Sequence, residues 1–265
     1  MAMPAYLDTI IAAHRARAAD DRRDPEELLA QAGSLPKPRR FTEALVTAGS
    51  SNRLAVISEI KRRSPSKGDL DPDLDPASVA KEYESGGAAG LSILTDQEFF
   101  GGSTQDLEAA RAACSLPVLR KDFTVSVADV CDARLMDADA VLLIVAALSH
   151  QELTAFLEVA AQLSMAALVE VHDGAELGRA LDAGATLIGV NQRDLHTFEV
   201  DPELAVTLRS TFPSGVVSVA ESGIRGVDDA ARLAAAGYDA VLVGETLVRS
   251  GDRRAAVAEL VGAHS

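Results

Sequence analysis

Short runs of apolar and β-branched residues alternate along this chain with longer stretches rich in alanine, leucine and glutamate. The apolar runs begin near Leu54, Ala89, Pro117, Asp139, Ala166, Thr186, Val216 and Asp239. The intervening stretches have helical spacing over residues 76–85, 103–115, 126–137, 149–163, 174–183, 202–210, 227–236 and 252–262. Strands that are apolar almost throughout are typical of a parallel sheet buried on both faces. Eight such units in 265 residues predict an α/β fold, a closed (β/α)8 TIM barrel.

The loop after the first predicted strand argues against an open doubly wound sheet, which is the main competing architecture. Such a sheet would place a glycine-rich dinucleotide fingerprint at this loop. The residues present are Ser64-Pro65-Ser66-Lys67-Gly68, which do not form that fingerprint. The barrel is therefore the better interpretation of the repeat.

The first 48 residues precede the repeat. Their spacing predicts helices over residues 6–18, 25–31 and 41–46, with a charged break at 20–25. We interpret residues 1–48 as an N-terminal helical extension that packs on the barrel. Residues 1–265 would then form a single barrel domain.

Composition limits the partners that such a chain can have. Its 25 basic and 40 acidic residues give a net charge of −15, which disfavours nucleic acid as a partner of the whole domain. No apolar run reaches membrane-spanning length. The two cysteines, Cys114 and Cys131, lack metal-ligand spacing. They predict reduced thiols in a cytoplasmic protein that binds no metal.

Polar residues stand where several of the predicted strands end. In (β/α)8 barrels the chemistry lies at these carboxyl ends. The residues there are Glu59, Lys61, Lys121, Glu170, Asn191, Glu221 and Ser222. Lysines and glutamates that converge on one cavity perturb one another's pKa and can transfer protons. The alternative is a structural ring of salt bridges, which is less favoured because buried ion pairs stabilise a fold poorly.

The last two predicted strands end in Ser222-Gly223 and Gly244-Glu245. Loops at these positions of the fold often bind phosphate through backbone N–H groups, and glycine lets the backbone come close. The carboxylate of Glu245 would repel a phosphate, so we expect only its N–H to face the ligand. Ordinary turn chemistry is an equally good explanation of the two glycines.

From about Leu54 to its end the chain resembles the indole-3-glycerol phosphate synthase family. The matching stretches are ISEIKRRSPSKG at 57–68, LTD at 94–96 with FFGGS at 99–103, PVLRKDF at 117–123, AVLLI at 140–144, LVEVH at 168–172, IGVNQRDL at 188–195, AESGI at 220–224 and LVGE at 242–245. The N-terminal extension is similar to the extra helices of that family. The motifs are long and correctly ordered, so the resemblance is specific.

The resemblance implies a ring closure in tryptophan biosynthesis. The substrate would be 1-(2-carboxyphenylamino)-1-deoxyribulose 5-phosphate, a phosphorylated small molecule. Its carboxylate-bearing aromatic carbon attacks the ribulose carbonyl, and loss of carbon dioxide and water gives indole-3-glycerol phosphate. The family implies no cofactor, and other enzymes of the tryptophan pathway are conceivable partners.

The resemblance also implies a role for each residue. Lys121 would be the general acid and Glu170 the general base. Lys61 would contact the substrate carboxylate and act as a second acid, with Glu59 beside it. The substrate hydroxyls would be held by Asn191, Glu221 and Ser222, and the phosphate by Ser64, Gly223 and Gly244. Arg193 lies two residues after Asn191, so its side chain would point to the same side and also face the site. The anthranilate ring needs an apolar slot, for which the candidates are Leu94, Phe100, Phe123, Leu142 and Leu195.

Two other functions stay open at the level of sequence. One is a Schiff-base aldolase or lyase on the same fold, with Lys121 or Lys61 as an unprotonated nucleophile. The other is a non-catalytic protein that binds phosphorylated metabolites, since a fold does not determine a function. The full set of charges at the strand ends argues against the second.

Overall fold

Eight parallel strands close into a barrel in the computed structural model, which describes residues 6–49, 54–65, 67–195 and 197–263. The strands are β1 (Ala55–Ile60), β2 (Gly90–Leu94), β3 (Val118–Lys121), β4 (Ala140–Ile144), β5 (Ala166–Val171), β6 (Leu187–Asn191), β7 (Val217–Glu221) and β8 (Ala240–Val243). Each strand pairs in parallel with its neighbours in sequence, and β1 pairs with both β2 and β8. The predicted (β/α)8 barrel is therefore confirmed, and each strand begins within one residue of its predicted start.

The helices lie before, between and after the strands. They are α1 (Tyr6–Asp20), α2 (Pro25–Gly33), α3 (Phe41–Ala48), α4 (Pro76–Ser85), α5 (Gln97–Phe100), α6 (Thr104–Ala113), α7 (Val127–Leu135), α8 (His150–Gln162), α9 (Gly174–Asp182), α10 (Leu204–Arg209), α11 (Val227–Ala236), α12 (Glu245–Val248) and α13 (Arg253–Val261). The sequence did not predict α5 and α12, nor the short antiparallel pairing of Arg63–Ser64 with Gly68–Asp69. These elements are too short for hydrophobic periodicity to reveal them.

Alternate residues of the strands enter two separate hydrophobic cores. Residues such as Val56 and Leu91 pack between the strands and the outer helices, whereas Ile57, Leu119 and Leu168 fill the barrel interior. All five are fully buried. This division follows from the period of two in a strand, and it explains why both faces are apolar.

The N-terminal helices pack against the barrel at separate places. Leu7 and Ile10 of α1, with Phe41 and Leu45 of α3, belong to the interior core. Phe41 lies against the start of β2, where a Cβ on Gly90 would meet its ring at 3.2 Å. Helix α3 therefore covers the amino ends of the strands, and α2 packs on α7 outside the barrel.

Asp139 joins three segments at the amino ends of the strands. Its fully buried carboxylate accepts hydrogen bonds from the backbone N–H of Arg39 at 2.6 Å and of Val118 at 2.9 Å. It also accepts one from the guanidinium of Arg111 at 3.0 Å. The segment before α3, strand β3 and helix α6 are thus tied together by one side chain.

We expect Asp139→Ala to destabilise the protein by about 3 kcal/mol, because it leaves buried donors without a partner. The midpoint of urea unfolding, followed by circular dichroism, measures this loss. Asp182→Ala is the matched control, since Asp182 is exposed at the end of α9 and its replacement should change stability by about 0.5 kcal/mol or less. Equal midpoints for the two variants would contradict the assigned role of Asp139.

Candidate active site

A cavity of about 710 Å³ opens at the carboxyl ends of the strands. It is lined by all of the residues predicted for the site, namely Glu59, Lys61, Ser64, Phe100, Lys121, Phe123, Leu142, Glu170, Asn191, Arg193, Leu195, Glu221, Ser222, Gly223, Gly244 and Glu245. The barrel thus brings together side chains that are spread over 187 positions of sequence (245 − 59 + 1). Their individual roles stay predictions.

Lys121, the last residue of β3, lies between two buried carboxylates. Its Nζ is 2.7 Å from Glu170 Oε2 and 3.2 Å from Glu221 Oε2. Burial by itself lowers the pKa of Lys121, but the charges of Glu170 and Glu221 outweigh burial and raise that pKa above its ordinary value. The side chain is therefore an ammonium group at neutral pH.

Glu170 on β5 is 1% exposed and is held from several directions. Its Oε2 accepts a hydrogen bond from Lys121, and its Oε1 accepts one from Asn191 Nδ2 at 3.1 Å. Burial raises the pKa of Glu170, but the nearby charges of Lys121 and His172 lower it by more, to well below the ordinary range. Glu170 is therefore ionised and oriented.

Glu221 at the end of β7 is in a different state. Burial raises the pKa of Glu221 to about 8 despite the opposing charge of Lys121, and its Oε1 has no hydrogen-bond partner among the described residues. A Cβ on Gly189 would lie 2.0 Å from that oxygen, so glycine at this position of β6 makes room for the carboxylate. The ammonium group of Lys121 thus lies beside two acids, Glu170 with a lowered pKa and Glu221 with a raised pKa. Such a difference between neighbouring acids is typical of sites that transfer protons.

A second ion pair follows β1. Lys61 Nζ lies 2.5 Å from Glu59 Oε1, and both side chains line the cavity. A Cβ on Gly244 would lie 2.3 Å from the same oxygen, so the end of β8 must be glycine for Glu59 to adopt this position. The pair adds a second ammonium group that faces the cavity.

The rim near β7 and β8 carries cations that the sequence analysis did not select. Lys67 Nζ and Arg249 Nε each lie 3.9 Å from Glu245 Oε1, and Arg225 also lines the cavity. Helix α12 has no side-chain cap, so the carboxylate of Glu245 lies near these two cations and does not cap its helix. Two sequence signals could have identified these cations: Lys67 lies in the loop after β1, and Arg249 lies four residues after Glu245.

Aromatic rings form the apolar part of the rim. Phe100 and Phe123 lie with ring centroids 6.1 Å apart, and Leu142 and Leu195 line the same cavity. Tyr6 at the start of α1 packs edge-on against Phe99 at 5.9 Å and Phe198 at 5.2 Å. Helix α1 therefore supports loops at the mouth of the barrel.

Comparison with known proteins adds evidence that is independent of this geometry. The family model described as indole-3-glycerol phosphate synthase matches residues 7–260. A protein of that name from Beutenbergia cavernae is 52% identical over 90% of this chain and 93% of its own length. Another from Mycolicibacterium vanbaalenii is 50% identical over 100% of this chain and 97% of its own.

The chain belongs to the indole-3-glycerol phosphate synthase family. More distant solved structures support the fold alone. The thiamine phosphate pyrophosphorylase of Pyrococcus furiosus is 20% identical, with a TM-score of 0.60 over 79% of this chain and 94% of its own. No helix among the described residues has both the length and the apolar character needed to cross a membrane.

Asp137, between α7 and strand β4 of this synthase-family barrel, has an unusual backbone conformation. Its φ of 64° is in the left-handed region that favours glycine. Its carboxylate pairs with Arg111 at 2.6 Å and with Arg134 at 2.9 Å. These two ion pairs hold the turn that leads into β4.

Arg120, whose role the sequence left unexplained, points away from the cavity of this synthase-family barrel. It donates hydrogen bonds to Thr95 at 3.2 Å and to Asp122 at 2.9 Å. Asp122, Asp96 and His14 present oxygen and nitrogen atoms within 4.8 Å of one another, a spacing that could suit a metal ion. His14 already pairs with Asp96 at 3.0 Å, and Asp122 with Arg120, so these residues form an ion-pair network that anchors α1.

Proposed function

We propose that this chain converts 1-(2-carboxyphenylamino)-1-deoxyribulose 5-phosphate to indole-3-glycerol phosphate, carbon dioxide and water. The observation that carries the proposal is the ammonium group of Lys121 between two buried acids at the mouth of the barrel. Membership of the synthase family and a cavity of about 710 Å³ support it, since the cavity has the size of a small-molecule site.

Lys121 acts as the general acid in this proposal. It protonates the ribulose carbonyl oxygen while the carboxylate-bearing aromatic carbon forms the new carbon–carbon bond. The electron pair of the bond to the carboxylate then returns to the ring as carbon dioxide leaves. A positioned general acid of this kind contributes about 10²- to 10⁴-fold to the rate. The acid must be charged before the step, and its two carboxylate neighbours keep it so.

Glu170 acts as the general base that completes the indole. The former carbonyl oxygen, a hydroxyl group after the first step, takes a second proton from Lys61 and departs as water, while Glu170 accepts the proton that the intermediate loses from carbon. Asn191 holds the other carboxylate oxygen at 3.1 Å, which fixes the orientation of the base. Glu221, with its raised pKa, can hold a proton next to Lys121 and return it to Lys121 after the indole has formed.

The remaining contacts hold the substrate at its two anionic ends. Lys61, paired with Glu59, faces the substrate carboxylate. The phosphate lies at Ser64, Gly223 and Gly244, where Ser222 and Gly223 have φ values of 64° and 73° and turn the backbone sharply. The anthranilate ring packs against Phe100, Phe123, Leu142 and Leu195, and Arg193 borders the same space.

The raised pKa of Lys121 argues against a Schiff-base lyase. A lysine nucleophile must be unprotonated, and the charges of Glu170 and Glu221 favour the protonated form. Reduction with borohydride in the presence of a keto-sugar phosphate is therefore expected to leave the protein unmodified.

The growth of indole fluorescence tests the proposed reaction directly. Purified protein mixed with the anilino-ribulose phosphate should produce indole-3-glycerol phosphate at a rate proportional to protein concentration. The same assay with EDTA tests the prediction that no metal takes part. Protein that binds the substrate but forms no indole under any of these conditions would overturn the proposal.

Three further expectations belong to the same proposal. The water-soluble phosphorylated substrate and the free thiols of Cys114 and Cys131 support a cytoplasmic location. Other enzymes of the tryptophan pathway are proposed as partners. Packing of α1 and α3 into the barrel core supports a single domain over residues 1–265 with an extension over 1–48, of which residues 1–5 lie outside the described residues.

A further inference from the structure

His172 stands directly behind the proposed general base. It follows the end of β5, two residues after Glu170, and its side chain is 16% exposed. Its Nε2 lies 3.4 Å from Glu170 Oε1, and its Nδ1 lies 3.0 Å from Glu176 Oε2. His172 is absent from the cavity lining, so it has no direct access to the substrate.

The start of α9 fixes the orientation of this ring. Asp173 caps the helix by accepting a hydrogen bond from the backbone N–H of Glu176 at 2.7 Å. Glu176 Oε2 accepts one from the backbone N–H of His172 at 2.8 Å and also contacts the ring of the same residue. With Nδ1 held by Glu176, Nε2 faces Glu170 Oε1 at 3.4 Å, a charge contact in which Nε2 makes no hydrogen bond to the described residues.

The two carboxylates require a doubly protonated ring. A carboxylate only accepts hydrogen bonds, and a neutral imidazole has a single N–H. One of the two carboxylates would therefore face a nitrogen lone pair unless the ring is an imidazolium. Burial lowers the pKa of His172, but the two carboxylates beside the ring, Glu170 and Glu176, outweigh it and raise that pKa to about 10.

We propose that His172 is a positioning residue for the general base, an imidazolium that keeps the Glu170 carboxylate oriented and ionised during turnover. This proposal rests on the proposed function. The groups whose charges act on the ring are Glu170 near the end of β5 and Glu176 on α9. Lys121 acts on Glu170 itself, and Glu221 interacts with both Lys121 and Glu170.

The need for this second cation follows from the reaction. Once Lys121 has given its proton to the carbonyl oxygen, its neutral amine no longer holds Glu170 in the ionised form. Burial would then raise the pKa of Glu170 and favour a protonated acid, which cannot act as a base. The imidazolium of His172 is not consumed in the reaction, so it opposes this change at the moment when the base is needed.

The decisive variant is His172→Asn, with His150→Asn as the matched control because His150 is exposed on α8. Without the imidazolium the pKa of Glu170 rises. The acid limb of the kcat profile should therefore move to higher pH by about one unit, which is about tenfold in kcat at a pH on that limb. KM should change by less than about twofold, because the ring does not line the cavity.

A purely structural role for the ring would give a different pattern. It would lower kcat by the same factor at every pH or raise KM, and either result would overturn the proposal. Glu176→Gln separates charge from packing, since it lowers the pKa of His172 but leaves the ring protonated at acidic pH. The acid limb of the kcat–pH profile of Glu176→Gln should therefore lie close to that of the wild type. Damage to the start of α9 would instead change the profiles of Glu176→Gln and His172→Asn in the same way.

Nuclear magnetic resonance of the imidazole in the unmodified protein gives a test that needs neither substrate nor a variant that folds. The ring nitrogens of His172 should stay protonated to at least about pH 9, whereas an ordinary imidazole loses its second proton at about pH 6.5. A normal titration of His172 would overturn the proposal whatever the activity. A protonated His172 in a protein that forms no indole would instead count against the proposed function alone.

Discussion

Lys121→Met is expected to lower kcat for indole formation by a factor of about 10³ while substrate binding stays measurable. Methionine keeps the apolar stem of the side chain but has no proton to give, so the carbonyl oxygen must accumulate charge without an acid. The neighbouring acids, Glu170 and Glu221, also lose the cation that lies 2.7 Å and 3.2 Å from them. Carbon dioxide release and indole fluorescence should fall together, because the acid acts before either product forms.

Two other lysines provide controls for this variant. Lys81→Met makes the same substitution on the exposed surface of α4 and should leave both kcat and KM unchanged. Lys61→Met removes the ammonium group paired with Glu59 and should raise KM, since its proposed partner is the substrate carboxylate. It should also slow indole formation more than carbon dioxide release, because the second proton is needed only after decarboxylation. Turnover of Lys121→Met within tenfold of the wild type would remove Lys121 from the mechanism.

Glu170→Gln is expected to have an effect of similar size, about 10²- to 10⁴-fold on indole formation. Glutamine keeps the shape of the side chain and can still accept a hydrogen bond from Lys121, so the fold should be retained. It cannot accept the proton that the intermediate must lose. Because this step follows decarboxylation, a single turnover should release carbon dioxide while indole fails to form.

The ratio of the two products distinguishes the base from the acid. In Glu170→Gln carbon dioxide release should approach one equivalent per site with little indole, whereas Lys121→Met should give neither. Glu158→Gln, on the exposed face of α8, should match the wild type in both products. If Glu170→Gln lost both products equally, Glu170 would belong to the ring-closure step instead.

The secondary structure of the barrel could be predicted because its signals are local. Each strand is a short apolar run bounded by turn residues, and helices such as α4 and α11 match their predicted ranges at both ends. The helices α5 and α12 have four residues each, which is less than the period needed to show an apolar face. Asp96 caps α5 through the backbone N–H of Phe99 and Phe100, a local signal that was not used.

The candidate site was predicted as a set of residues but not as a set of contacts. Strand parity and the position of each residue at a strand end were enough to select Lys121, Glu170 and Glu221. They could not say which carboxylate would meet which lysine, because β3, β5 and β7 are not neighbours in the sheet. The sequence also could not predict that Gly189 leaves space for the carboxylate of Glu221.

The sequence by itself determined the number of strands, their order and the residues that reach the mouth of the barrel, since these follow from periodicity and turn chemistry within short segments. Only the tertiary structure decided that Lys121 pairs with Glu170 and Glu221, and that His172 lies 3.4 Å from Glu170. The physical reason is that an ion pair depends on distances of a few ångströms, and closure of all eight strands sets those distances.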